Sequence, residues 1–289
     1  MFQIIGIVVL FAMVFGGFTL AGGHFDIIIA ALPFELMMIG GAAIGAFLIS
    51  NSLGTITKTA GDFAKLVSGP KWGKQDYMDL LTLLFQLTKT MKTKGVIALE
   101  SHIENPHDSS IFSAYPKIMK DHFAIDFICD TLRMMTMNLE DPHQVEDAME
   151  KQIEKHHHEA ATPAHALQSM ADALPALGIV AAVLGIIKTM GAIDSPPTVL
   201  GAKIGSALVG TFLGVFLAYG LVGPFASRLN EIYEEEGAFY KIIQAVLVAH
   251  LHGNAAQISV EIGRGDIPSS TQPSFLEMEE SLSTAPMEA

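Results

Sequence analysis

Only one cysteine, Cys129, occurs in the 289 residues. A single thiol excludes an internal disulfide and offers no metal-ligand spacing, and its expected role is that of a small buried hydrophobe. Charge is also scarce. Charged types make up 16% of the chain, against about a quarter in ordinary soluble domains. The little charge there is leans acidic, to a net −13. Phosphate neutralisation needs clustered Lys and Arg, so this balance argues against nucleic-acid binding. A Walker-type loop, G-x-S-x-G, H-E-x-x-H and a cysteine pair are all missing from the sequence. Enzymatic chemistry therefore has no support, and no catalytic residue, metal ligand or cofactor is expected.

What is present is apolar. Half of the chain is hydrophobic, with 15 Met, 17 Phe and 26 Gly, and glycine is more frequent in membrane helices than in soluble ones. The charges leave four segments nearly untouched. Residues 1–23 carry none and are long enough to cross a ~30 Å hydrocarbon layer. A basic n-region is missing and the run is too long for a signal peptide, so a retained span is expected. A second span is expected from Pro33 to about Thr57, with Pro33 in the first helical turn and Glu35 beside it, near the interface. A third runs over 173–193, where LPALGIVAAVLGIIKTMG shows no polar stripe of the kind a soluble core helix has. A fourth covers 204–227.

The polar insert between the second and third spans reads as helical. Tyr77–Thr93 has apolar residues at i, i+3, i+4 and i+7 spacing, with Asp76 as the expected N-cap and Gly95 as a break. Ile118–Leu139 forms another candidate helix. Asp141 and Pro142 then read as N-cap and N1 of a charged helix over His143–Glu159. A further helix is expected over Arg228–His252, and the acidic, Ser-rich tail from Gly253 is expected to be irregular. The fold class is an all-α membrane protein with four transmembrane helices. Its expected organisation is a hairpin at 1–57, a helical cytoplasmic domain at 58–172, a second hairpin at 173–227, and a cytoplasmic helix and acidic tail at 228–289. Lys58, Lys65, Lys71, Lys74, Lys155, Arg228 and Lys241 flank the spans on one side. This bias places the insert and both termini in the cytoplasm.

Small residues recur at helical spacing in three spans: Gly41 and Gly45; Gly178, Ala182, Gly185 and Thr189; and Ser206, Gly210, Gly214 and Ala218. Such stripes allow close helix packing in lipid. They serve either to pack the four helices together or to face another chain or a narrow passage. A proton relay needs a titratable group in the membrane, and the third and fourth spans have no Asp, Glu, His or Arg at mid-span. Either the chain is not a channel, or it forms the wall and a partner brings the carboxylate. Pro175 reads as a helix-start residue or a kink, and Pro224 as a kink. His156, His157 and His158 point about 100° apart on a helix and cannot share one ion. Lys89, Lys92 and Lys94, followed by Glu100 and Glu104, form either a solvated, paired face or an electrostatic docking surface.

The stretches YMDLLTLLFQLTKTMKTKGVIALESHIENP, IFSAYPKIMKDHFAIDFICDTLRMM, LPALGIVAAVLGIIKTMG, LVGTFLGVFLAYGLVGP and QPSFLEMEE resemble the MotA family of flagellar motor stator subunits. This family lies within the broader MotA, TolQ and ExbB group of proton channels. The likeness covers nearly the whole chain, including PFELMMIGGAAIG in the second span. It implies a self-associating, pentameric ring in the bacterial inner membrane around two copies of MotB, whose helix supplies a membrane aspartate. Ion flow then turns the ring against the rotor protein FliG and drives motility. Under the resemblance Pro175 and Pro224 match the family's two functional prolines, Thr211 a threonine facing the ion path, and Glu100 the rotor-contact glutamate. Lys92 stands where the family has a rotor-contact arginine, which keeps charge but loses the bidentate fork. Sodium-driven relatives carry a hydroxyl where this chain has Ala182, so the implied coupling ion is the proton.

Two other readings compete. A TolQ/ExbB-type unit would energise an envelope complex, but that group has three spans where this chain has four. A metal transporter sensing through the His run would need mid-membrane ligands that the sequence does not contain.

Overall fold

The computed structural model describes residues 2–137, 139 and 141–284. Among them every regular element is helical. Four helices are long and apolar enough to cross a membrane: α1, Phe2–Leu20; α2, Asp26–Ser50; α6, Pro142–Met190; and α7, Pro197–Leu251. Between α2 and α6 lie α3 (Leu53–Asp62), α4 (Lys74–Lys94) and α5 (His122–Thr136). After α7 come α8 (Ala256–Gly265) and α9 (Phe275–Thr284). The chain forms two compact units, one from Met1–Gly69 with Ala161–Ile232 and one from Pro70–Ala160 with Tyr233–Ala289.

Several helix limits differ from the sequence-based expectation. α2 starts at Asp26, and Pro33 lies inside it. Asp26–Leu32, which the expected second span leaves out, is helical. The missing N–H of Pro33 leaves the carbonyl of Ile29 without its i+4 donor, and the backbone opens into a wide π-type turn at Leu36–Gly40. Glu35 consequently sits about 14 Å along the helix axis, not in the first turn.

α6 joins what read as two elements. It runs unbroken for 49 residues through Pro163 and Pro175, so Pro175 is not a helix start. α7 likewise merges the fourth span with the helix that follows it. Its backbone opens into a π-type turn at Leu217–Val222, just ahead of Pro224. Pro224 has no N–H for the carbonyl of Gly220, which accounts for the wider turn there.

The second unit is built around α4. Leu80, Leu81, Leu83, Leu84 and Leu87 are all fully buried, so this helix is packed on every side rather than on one stripe. Each such leucine contributes about 1.5–3 kcal/mol relative to exposure. Gly73, not Asp76, caps α4. Asp76 lies at N3 and accepts a hydrogen bond from the Gly73 N–H at 2.7 Å. Trp72 stacks on Phe239 of α7 with ring centroids 3.9 Å apart. α5 is capped by Asp121, whose side chain accepts from the Ala124 N–H at 2.8 Å.

The tail is not irregular over its described part. α8 and α9 both pack on α4. Ser274 and Glu277 form a reciprocal cap on α9: the Ser274 N–H donates to Glu277 Oε2 at 2.7 Å, and the Glu277 N–H donates to Ser274 Oγ at 3.3 Å. Residues 285–289 of that tail lie outside the described residues.

Candidate functional site

The first unit is organised by a close crossing of α6 and α7. A Cβ placed on Gly178 would come within 2.8 Å of the Gly210 carbonyl oxygen, and one on Gly214 within 2.6 Å of the Leu174 carbonyl oxygen. One on Gly185 would meet Ala207 Cβ at 2.7 Å. The third- and fourth-span stripes thus pack against each other within the chain, which lets two backbones touch without side chains between them. The second-span stripe behaves differently, because Cβ atoms on Gly41 and Gly45 would meet nothing within 4 Å. α1 packs on α7 through phenylalanines, with Phe11 edge-on to Phe216 at 5.3 Å and Phe15 to Phe212 at 6.1 Å.

Of the candidate ion-path residues, Ala182 lies in the crossing itself, and Thr211, Pro175 and Pro224 are each next in sequence to a packed residue. Ala182 is buried, and its backbone N lies 3.3 Å from a Cβ placed on Gly210. Thr211 follows Gly210 directly and is half-buried. Pro175 is half-buried one residue beyond Leu174, the partner of Gly214. Pro224 is exposed, and its neighbour Gly223 faces Ala171, one turn before Pro175. Sequence reasoning set Glu35 aside as interfacial, whereas the structure places it at this crossing. The residue is 4% exposed, and a Cβ on Gly210 would meet its Oε2 at 2.6 Å. The available signal was helical continuity: DIIIAALPFELMMIGG has no polar break between Asp26 and Gly40 except Glu35.

The candidate docking residues flank Gly95, whose φ of 85° ends α4. Lys92 and Glu100 are both exposed, and no ion pair joins them among the described residues. Lys92 Nζ donates to the carbonyls of Gly253 and Asn254 at 3.3 Å each, just past the end of α7. Pairing within the wider patch is directed elsewhere, with Glu104 accepting from Arg133 Nε at 2.8 Å and Lys89 lying over the Phe85 ring. His156 stacks on Phe123 at 3.6 Å, and His157 lies 3.5 Å from Glu234. Two of the three adjacent histidines therefore face different partners. Burial pushes the Cys129 thiol up to about 12, which leaves it an unreactive core side chain.

A polytopic helical membrane protein, with a tight glycine crossing in its spans and a separately packed helical unit, is the class that these features define. Residues 4–95 match the family model for the motility protein A N-terminal region, and residues 120–241 match that for the MotA/TolQ/ExbB proton channel family. Motility protein A of Salmonella typhimurium is 41% identical over 280 residues, covering 97% of this chain and 94% of that one. Chemotaxis protein LafT of Vibrio parahaemolyticus is 36% identical, covering 96% of each. The solved MotAB structure from C. jejuni superposes with a TM-score of 0.71 at 18% identity, covering 94% of this chain and 98% of that one. The Bacillus subtilis MotAB stator complex gives 0.66 at 24%, covering 89% and 92%. The chain belongs to the motility protein A branch of the MotA/TolQ/ExbB proton channel family.

Proposed function

We propose that this chain is a stator subunit of the bacterial flagellar motor, forming with a MotB-type partner a proton channel that converts ion flow into torque. The carrying observation is the likeness to motility protein A along 97% of the chain. In this reading the chain sits in the inner membrane with both termini and the second unit in the cytoplasm. Five copies form a ring around two partner helices, and the partner supplies an aspartate to the membrane. The unfilled space beside Gly41 and Gly45 supports a neighbouring chain there.

Pro175, Pro224, Thr211 and Ala182 line or couple the ion path, and Lys92 and Glu100 meet FliG. Ala182 brings no oxygen ligand, which favours protons over sodium. Replacing Pro175 or Pro224 with Ala tests this: the protein stays in the membrane at wild-type abundance and the cells stop swimming. Full motility of the double variant contradicts the reading.

A further inference from the structure

Glu35 is a buried carboxyl group with no task in the account so far. Its Oε2 has no hydrogen-bond partner among the described residues. Glu35 also lines a cavity of about 620 Å³ within the first unit, reaching from the loop-side ends of α2, α6 and α7 inward. Asp26, at the start of α2, Lys188, in the last turn of the α-helix ending at Met190, and Lys203, near the start of α7, line its outer part. Thr189, next to Lys188, and Ser206 also line it. These are the titratable and hydroxyl groups that share the cavity with Glu35.

A carboxylate left without a donor in a membrane is strongly disfavoured, and an apolar side chain would pack there without that penalty. An intramembrane acid without a partner therefore points to a ligand. Glu35, Thr189 and Ser206 together bring four side-chain oxygens, and the Asp26 carboxyl lies in the outer part with the two lysines, so the donors near Glu35 fall short of the about six that a hard metal cation takes. The two ammonium groups at the rim further disfavour a resident cation. A proton needs only one oxygen.

We propose that Glu35 is a proton-collecting site on the outer side of the ion path. Water in the cavity gives a proton to Oε2, an O–H bond forms there, and the proton leaves again by water towards the acid that the partner helix presents. The close approach of Gly210 leaves no room for a side chain between this carboxyl and the α6–α7 crossing. The inference rests on the channel reading above, so its first test does not depend on motility.

Infrared difference spectra are recorded on the full assembly, chain plus partner, in lipid bilayers as outside pH is varied. The expected result is a carboxylic C=O band that rises and falls with pH in the wild type and is missing in Glu35→Gln. A spectrum identical in the two, or a Glu35 band that ignores pH, overturns the proposal. The second test is torque of tethered cells. Glu35→Gln keeps the side chain's size and polarity, and it is expected to lose at least about twofold in torque at alkaline outside pH relative to acidic, where proton supply limits. Glu35→Asp is expected to recover part of that loss, which a purely structural role would not produce. Equal torque for wild type and Glu35→Gln at every pH overturns the proposal. A wild-type assembly that gives the pH-dependent Glu35 band yet produces no torque and passes no protons would instead count against the channel reading.

Discussion

Gly214→Ala offers a direct probe of the helix crossing. The added methyl would sit 2.6 Å from the Leu174 carbonyl oxygen and 2.9 Å from Gly178 Cα. Both obstacles are backbone atoms, so no rotamer change relieves them. The first contact falls about 0.8 Å short of ordinary van der Waals distance, and the helices must separate by that order. Overpacking costs about 1–3 kcal/mol, and the two rigid backbone obstacles put this case in the upper part of that range, about 2–3 kcal/mol. Alanine returns up to ~1 kcal/mol through backbone entropy. The net loss is about 1–2 kcal/mol, or roughly 5- to 30-fold in the equilibrium that holds the hairpin closed. Gly61→Ala in α3 is the control, because its Cβ would meet nothing within 4 Å. Unfolding of the purified assembly by a graded denaturing detergent reads the difference. Gly214→Ala is expected to unfold at a lower detergent fraction than wild type and Gly61→Ala at the same or a higher one. A Gly214→Ala protein as resistant as wild type would refute the packing argument.

Further outcomes follow from the second unit. Burial, and then the charge of Lys92, lowers the pKa of His250 below its ordinary value of 6.5. The unfolded chain takes up a proton more readily there, so this contribution to stability is present above pH 6.5 and is lost as pH falls below it. Thermal melts should show a drop on acidification that is smaller in His250→Gln; identical pH profiles would contradict this. Charge reversal of Lys92 or Glu100 singly should lower motor torque; that of Glu100 should leave the melt unchanged within about 0.5 kcal/mol, as for exposed side chains generally, whereas that of Lys92 also breaks its bonds to the carbonyls of Gly253 and Asn254. Normal swimming in both would place the rotor contact elsewhere. Cys129 should resist alkylation in the native protein and react only after denaturation, since burial holds its thiol near 12; ready labelling of the folded chain would contradict that burial.

Much of the architecture was legible because lipid imposes a simple rule. Uncharged runs of sufficient length favour helical spans, and each of the four expected spans overlaps one long apolar helix, although the third and fourth helices, Pro142–Met190 and Pro197–Leu251, run well beyond the uncharged runs. Helix continuity was less legible. Pro175 signals a start to local reasoning, yet α6 passes straight through it, because flanking turns packed on α7 hold the helix together. Pro33 misled in the same way, and the error moved Glu35 from the centre of the site to its edge. The Ser274–Glu277 cap was readable from its S-x-x-E spacing before FLEMEE, but the tail's acidic composition outweighed it. Partner geometry was not legible at all, since no residue in the chain encodes the aspartate that a second polypeptide would bring.

The most direct test of the account is proton passage through vesicles holding the purified chain, with and without its single-span, acid-bearing partner. The account predicts that vesicles with the chain alone acidify no faster than empty ones, Glu35 notwithstanding, and that addition of the partner opens the path. Full-rate proton passage through the chain alone would contradict it.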